Sequence, residues 1–402
     1  MESITKYVWF QEGPGVRKEQ YTNSGVKLLN VANLVDGKVD LSTSDRFISK
    51  EEANGRYKHF LVDEGDLIIA SSGIQVSYFD KKMGFIQKNQ LPLCMNTSTI
   101  RFKSLDKNVT NIRYFMYFLK SALFKRQLQK QITGSAQLNF GPSHLKKMKI
   151  NMPSIEKQNK IVEKLDKIQK IIDLRNKQLN MLKEVVKSQF VEMFGDPILN
   201  DKNWEVKKLK DLSTLIMSGN TPKGGKNVYV DDGILFFRSQ NVWRKRLELD
   251  DIAYIDEKTN NSMKKSQLKH GDLLITKTGR INTENSSLGR TAIYLGEDGQ
   301  ANINGHVYLV RLNKEVNHDY ILEILISKEY REYIRSVCVG GIDKRQLNKE
   351  HIEDFPIIYP PIELQKEFTD KVKQIDKQEF EIKKSLTEME NLYNSLMNEY
   401  FG

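Results

Sequence analysis

The sequence predicts an α/β (α+β) chain built twice: two mixed α/β domains separated by two long antiparallel coiled-coil helices, with an internal pseudo-two-fold repeat. The stretch Ile155 to Gly195 recurs 207 positions later as Ile362 to Gly402, which sets Ile155-Glu156-x-Gln158 over Ile362-Glu363-x-Gln365 and Phe194-Gly195 over Phe401-Gly402. Both stretches carry apolar residues on alternating steps of four and three, and the segment ahead of each shows the same order of strand and turn signals. The implied division is a first domain over 1–153, a first rod over 154–195, a second domain over 196–360 and a second rod over 361–402.

In the first rod the seam runs through Ile161, Leu165, Ile168, Ile172, Leu179, Leu182, Val186 and Met193, with Arg175 and Gln189 as polar members. In the second it runs through Phe368, Val372, Ile375, Ile382, Leu386, Met389, Tyr393, Leu396 and Tyr400, with Glu379 polar. Sustained heptads with charged flanks specify a coiled-coil helix. Forty residues make a rod of roughly 60 Å, and a seam this narrow is buried most simply against its own copy. Ser154 is a suitable N-cap, and Gly195 with Pro197 beyond it stops the first rod. About eight residues, reaching at most roughly 28 Å, then lead into the second domain. That domain should therefore start near the far end of the first rod, and its own rod should run back. The expected arrangement is two domains at opposite ends of a spacer, related by an approximate two-fold axis like that of duplex DNA.

Within the first domain, Gly25 to Leu29 reads as a strand and Asp36-Gly37 as a tight turn. Gly65-Asp66-Leu67-Ile68-Ile69-Ala70 is a turn feeding a buried strand, and Thr99 to Phe102 is a further strand. Ile112 to Leu128 has helical periodicity rich in aromatics, which suits a helix core. The second domain repeats this order. Gly233 to Phe237 with Asn241 answers Gly25 to Leu29 with Asn33, and Gly271-Asp272-Leu273-Leu274-Ile275 answers Gly65 to Ile69. Arg311 follows its strand as Arg101 does, Tyr320 answers Tyr114, and Gly341 stands at the place of Gly134. The loops between these markers agree less well, as expected of one scaffold carrying two different reading surfaces.

With 402 residues the chain is long enough for two or three domains. Its 63 Lys and Arg against 52 Asp and Glu leave a net charge of +11, which favours a polyanionic partner such as nucleic acid. Cys94 and Cys338 are far apart and not equivalent in the repeat, so neither a disulfide framework nor a zinc site is implied. The start of the chain lacks the apolar core of a signal peptide, and no run approaches the length of a membrane span. A cytoplasmic protein is expected.

Candidate DNA-binding residues fall in the loops. In the second domain they are Arg238, Gln240, Asn241 and Arg244; Lys277, Arg280, Asn282 and Arg290; and Lys344 with Arg345. In the first they are Arg17, Lys18, Ser72, Gln75, Ser135 and Gln137. Arginine suits guanine, and asparagine or glutamine suits adenine, through paired hydrogen bonds in the major groove. Glycines at 279, 289, 340 and 341 would let backbone approach a ligand closely.

No catalytic constellation accompanies these loops. The six histidines are scattered, without a His-Glu-x-x-His pattern. Gly224-Gly225-Lys226 lacks the spacing of a phosphate loop, and Tyr359-Pro360-Pro361-Ile362 lacks the flanks of a base-gripping methyltransferase motif. On the residues alone, three classes stay open: a non-catalytic reader of DNA, a methyltransferase–nuclease fusion, and a coiled-coil scaffold or RNA-binding protein that dimerises through its rods.

The ordered set of markers resembles the specificity subunit of a Type I restriction–modification system. It comprises a variable domain, a rod opening with Pro153 and Gln158 and closing with Met193-Phe194-Gly195-Asp196, then Trp204-Glu205-Val206-Lys207-Lys208-Leu209 and a second variable domain with Gly271-Asp272-Leu273-Leu274. The resemblance implies two target-recognition domains reading the halves of a bipartite asymmetric site on double-stranded DNA, and rods that fix the gap. It also implies docking of two methyltransferase subunits and of restriction subunits, with S-adenosylmethionine, ATP and Mg2+ held by those partners and no cofactor or metal in this chain. The first domain opens differently, with Trp9-Phe10-Gln11-Glu12 in place of the entry at Trp204, so its N-terminal part is expected to be built differently.

Overall fold

The computed structural model describes residues 1–132 and 137–402. The chain divides into two compact units, Met1–Lys177 with Lys383–Gly402, and Gln178–Ile382. Six helices position the rest: α1 (Ile112–Lys120), α2 (Ala122–Gln129), α3 (Ile155–Phe194), α4 (His318–Ile326), α5 (Lys328–Val337) and α6 (Ile362–Phe401). The linear division into domains and rods differs from the division into units, because each long helix contributes one part to each unit.

In the first unit an antiparallel sheet runs Val8–Glu12, Thr99–Ser104, Leu67–Ala70, Met83–Phe85. The strand Leu67–Ala70 is buried throughout, which explains why its sequence is continuously apolar. Leu67 and Ile69 join the core of Phe102, Phe115 and Phe118, while Ile68 and Ala70 join a second core with Leu29, Leu93 and Met95. A second sheet, Leu93–Met95, Val26–Leu29, Phe47–Ile48, includes the parallel pair Cys94 beside Leu28. Asp36 and Gly37 take positive φ of 47° and 77° in the hairpin joining Leu34–Val35 to Lys38–Val39, as the tight-turn signal predicts. The single helix expected from Ile112 to Leu128 is instead two. Ser121 accepts from the Phe124 amide to cap α2, while its own N–H returns to the Phe118 carbonyl.

The second unit repeats this order, with Tyr229–Val230 added to the edge of its second sheet. Its first sheet runs Ser213–Ser218, Val307–Leu312, Leu273–Thr276, Thr291–Ile293. The other contains Ala253–Ile255, Ile234–Phe237 and Ala301–Ile303, again with the last two parallel. The expectation of a differently built N-terminus does not hold for the strand topology, since Glu2–Ser3 pairs with Lys149–Ile150 as Val206–Lys208 pairs with Pro356–Ile358. Trp204 belongs to the connector rather than to the domain plan: its indole N–H donates to the Phe194 carbonyl at 3.0 Å.

Shared residues of the two copies prove to be structural keystones. Asp66 accepts from the Asp63 amide and meets Arg101 at 3.4 Å, the side chains of Asp66 and Arg101 both being buried. Asp272 accepts from the Lys269 amide at 2.7 Å and takes two bonds from Arg311 at 2.9 and 2.7 Å. Gln158 and Gln365, both fully buried, donate to the carbonyls of Pro153 and Pro360 at 2.8 Å, fixing the angle at which each long helix begins. Tyr114 and Tyr320 donate to the carbonyls of Asn151 and Ile358 at 3.2 Å.

Near their ends the heptad seams are buried together with Val162, Phe190, Phe194, Met397 and Phe401, which lie off the predicted spacing, while Leu179, Leu182, Ile382 and Leu386 are half-buried. In the first unit Ile161, Val162 and Leu165 near the start of α3 share a core with Met397 and Phe401 at the end of α6. In the second unit Phe190 and Phe194 at the end of α3 meet Phe368 near the start of α6, with ring centroids 5.5 and 5.4 Å apart. Start lies beside end in both units, so the two helices run antiparallel.

Candidate nucleic-acid interface

In the second unit the buried strand Leu273–Thr276 emerges into Thr278–Arg280, which pairs with Lys344–Gln346, and that strand pairs in turn with Val339–Gly340. Gly340 is required here: its φ is +133°, and an added Cβ would lie 2.9 Å from the Lys344 carbonyl. The ribbon ends in Ile342, which is 90% exposed. Arg280 and Lys344 are partners in its register, Arg280 meets Asp343 at 3.3 Å, and Arg345 donates to the Gly341 carbonyl at 3.3 Å. The ribbon thus brings three predicted cations together around a projecting apolar tip.

A second cluster lies on the segment 283–286. Arg244 and Arg331 donate to the Glu284 carbonyl at 3.3 and 3.5 Å, and Arg335 donates to the Thr283 carbonyl at 3.3 Å. Burial, followed by repulsion from Arg331 and Arg335, holds the Arg244 guanidinium below its ordinary pKa. Arg290 stacks 3.8 Å from the centre of the Trp243 ring, with Arg246 over the same ring at 5.7 Å. Burial, then Arg244 and Arg246, lowers its pKa as well. Five guanidiniums are therefore close together; Glu332 is paired with Arg335 and Glu248 with Arg246, and the Glu284 carboxylate offsets part of the repulsion on Arg244. Such a gathering is stabilised by an external anion. Arg331 and Arg335 were not among the sequence candidates. They sit four apart on α5, each next to a buried residue, Tyr330 and Ile334, and that spacing was the available signal.

Two candidates need correction. Asn241 is 1% exposed: its Oδ1 accepts from the Arg238 amide at 3.0 Å, and its Nδ2 donates to the carbonyls of Glu248 and Asp251 at 3.2 and 3.0 Å. It closes a loop, as Asn33 does with Asn30 and Asp40, and has no edge left for a base. Arg290 is buried too, donating to the carbonyls of Ser286 and Asn285, so it supports the surface rather than forming it. Arg238 is largely occupied by Asp251 at 3.3 Å, and Gln240 donates to the same carboxylate at 2.6 Å. Lys277 is half-buried over Tyr308, and Asn282 is exposed.

The first unit carries a different surface. Gln75 lies opposite Gln137 in the pair Ile74–Gln75 with Gln137–Leu138. Asn139 accepts from the Ser72 hydroxyl at 2.7 Å and the Gly73 amide at 2.9 Å. Arg17 and Lys18 are exposed, and Ser135 lies outside the described residues. On α2, the counterpart of α5, Lys125 stands at the place of Arg331 and is paired with Asp80 at 2.7 Å, while its neighbour Arg126 is exposed. Among the described residues no group of three or more His, Cys, Asp or Glu is placed to hold a metal, and no helix is long and apolar enough to cross a membrane.

A duplicated fold whose two copies share their keystones and differ in their polar loops defines a two-domain recognition protein. The family model of the Type I restriction modification DNA specificity domain matches residues 10–184 and again 201–390, and the chain belongs to that family. Similar proteins include the Type I restriction enzyme MjaVIII specificity subunit of Methanocaldococcus jannaschii, 21% identical over 85% of this chain and 79% of that one. Another is the EcoKI specificity subunit of Escherichia coli K12, 22% identical over 97% and 85%. The fold matches the crystal structure of a Type I restriction–modification S subunit from M. genitalium with a TM-score of 0.57 at 14% identity, covering 100% of this chain and 95% of that one. A chain from a structure of type I R-M system assembly matches with a TM-score of 0.55 at 15% identity, covering 98% and 97%.

Proposed function

We propose that this chain is the sequence-recognition subunit of a Type I restriction–modification complex, acting in the cytoplasm on a bipartite asymmetric site in double-stranded DNA. Each domain reads one half of the site, and the paired long helices serve as the ruler for the unspecified gap. The observation that carries this reading is the use of one scaffold twice with unlike polar surfaces, a guanidinium cluster in one copy and amide-rich loops in the other. Phosphate contacts fix register while base edges give specificity. Arg244, Arg331 and Arg335 suit the first task, and Arg280, Lys344 and Arg345 on the ribbon suit the second. Family membership favours this over an interaction scaffold or an RNA-binding protein.

The chemistry belongs to partners. Two methyltransferase subunits carrying S-adenosylmethionine would modify an adenine in each half, and restriction subunits using ATP and Mg2+ would cleave. The test is to express the chain with its neighbouring methyltransferase and map methylated adenines across a genome. A split motif with a fixed gap is expected. A continuous motif, or no methylation, refutes the proposal.

A further inference from the structure

We infer that each recognition domain is keyed to its own long helix by ion pairs of opposite polarity, so that the two domains cannot exchange positions, and that in the second domain the same key fastens the arginine-bearing loop. The inference takes the two-domain reading above as its frame, but its test does not use DNA.

The positions compared are equivalent in the repeat. Arg113 and Asp319 are each the second residue of α1 and α4, following the caps Asn111 and Asn317. Asp166 and Lys373 are each the twelfth residue of α3 and α6. In the first unit Arg113 grips Asp166 through two bonds of 2.9 and 2.7 Å, and the Tyr117 hydroxyl donates to the same carboxylate at 2.5 Å. In the second unit the signs are reversed, with Lys373 meeting Asp319 at 2.8 Å. One turn further along, Tyr117 is replaced by Glu323, whose side chain is 9% exposed and lies 2.8 Å from Lys245. Lys245 also meets Asp376 of α6 at 2.8 Å. The equivalent of Asp376 on α3 is Gln169, which donates instead to Asp173 at 3.0 Å.

Moving either domain to the other helix would misplace these charges. The first domain on α6 would set Arg113 against Lys373. The second on α3 would set Asp319, and the nearly buried Glu323, against Asp166, while Lys245 would reach Gln169 in place of an acid. Exposed ion pairs contribute little attraction. The discrimination arises from repulsion in the wrong pairing and from stranding a buried carboxylate. The shared keystones cannot supply it, because the tyrosine and glutamine contacts are the same in both copies.

Lys245 gives the key a bearing on recognition. It has a positive φ of 68° and donates its amide to the Thr291 carbonyl at 2.8 Å. Its neighbours Trp243, Arg244 and Arg246 form part of the guanidinium cluster. One short loop thus anchors itself on α6 through Lys245 and presents cations through the residues on either side. Lys245 is a positioning residue for that surface.

The experiment compares two full-length chains in which residues 1–153 are replaced by a copy of 196–360. One keeps the native α3, and the other carries Asp166→Lys with Gln169→Asp. The altered helix is expected to raise the melting temperature of the exchanged protein by roughly 5 °C or more. Equal melting of the two, or failure of both to fold, overturns the inference. In the natural chain, Asp166→Lys alone should lower the melting temperature of the first unit, and adding Arg113→Asp should restore at least half of the loss. A double variant that melts no higher than the single one also overturns it. Neither measurement depends on DNA binding, so the result is separable from the fate of the proposed function.

Discussion

The Asp–Arg keystone in the first unit and its counterpart in the second differ in a way that separates scaffold from function. Arg101 is held mostly by neutral partners, Gln11 at 2.7 Å and the carbonyls of Leu61 and His59 at 2.6 and 3.0 Å, with Asp66 a longer contact. Arg311 depends on Asp272 for two of its three bonds. The role is preserved while its chemistry has drifted. In the loops both path and charge differ: the two-stranded pair Ile74–Gln75 with Gln137–Leu138 stands where the second unit has a three-stranded ribbon. Packing constraints hold the keystones in place, and the loops are free of them.

The largest expected effect tests the keystones. Asp272→Ala should cost about 2–3 kcal/mol in urea unfolding, the usual worth of hydrogen bonds to a charged group, because it removes two of the three bonds of the part-buried Arg311, and Asp66→Ala less because Arg101 keeps its neutral partners. Equal losses would erase the contrast. Next, Asn241→Ala should cost about 1–3 kcal/mol of stability by leaving buried carbonyls unpaired, with the methylated motif unchanged. A changed motif would return Asn241 to the reading set. Arg280→Ala should weaken binding of the complex by about 1–3 kcal/mol and relax preference at one position, and an unchanged target would remove Arg280 from the ribbon's role. The smallest effect is electrostatic. Arg331→Gln should lower the slope of log affinity against log salt by about one, and Arg335→Gln by less, because Arg335 is already paired with Glu332. Lys125→Gln in the first unit should leave that slope unaltered, because Lys125 is already paired with Asp80.

Much of the fold was legible because its signals are local or periodic. The heptads gave α3 and α6 to within a residue, Asp36-Gly37 gave a turn, and the doubled order of strand signals gave the repeat. The break at Ser121 was missed because periodicity passes through it, whereas the cap forms only when the serine side chain competes for the next turn. The keystone pairs were invisible because Arg101 and Arg311 lie far along the chain from Asp66 and Asp272, so their approach is a product of sheet pairing. For the interface, residue type identified cations and amides but could not tell an open side chain from one turned inward. Asn241 and Arg290 were absorbed by loop closure, while Arg331 and Arg335 looked like an ordinary helix surface until the segment 283–286 was laid against them.

Residues 383–402 belong to the first unit yet are synthesised after the whole of the second. That unit's early helix offers Ile161 and Leu165, and its domain offers Tyr114, to a partner that the ribosome has yet to make. At common translation speeds of about 5–20 residues per second, the wait lasts roughly 10–40 seconds while the whole second unit is synthesised. During that interval a sticky stripe is open to chaperones, to neighbouring nascent chains and to proteases. The half made first is therefore the half completed last.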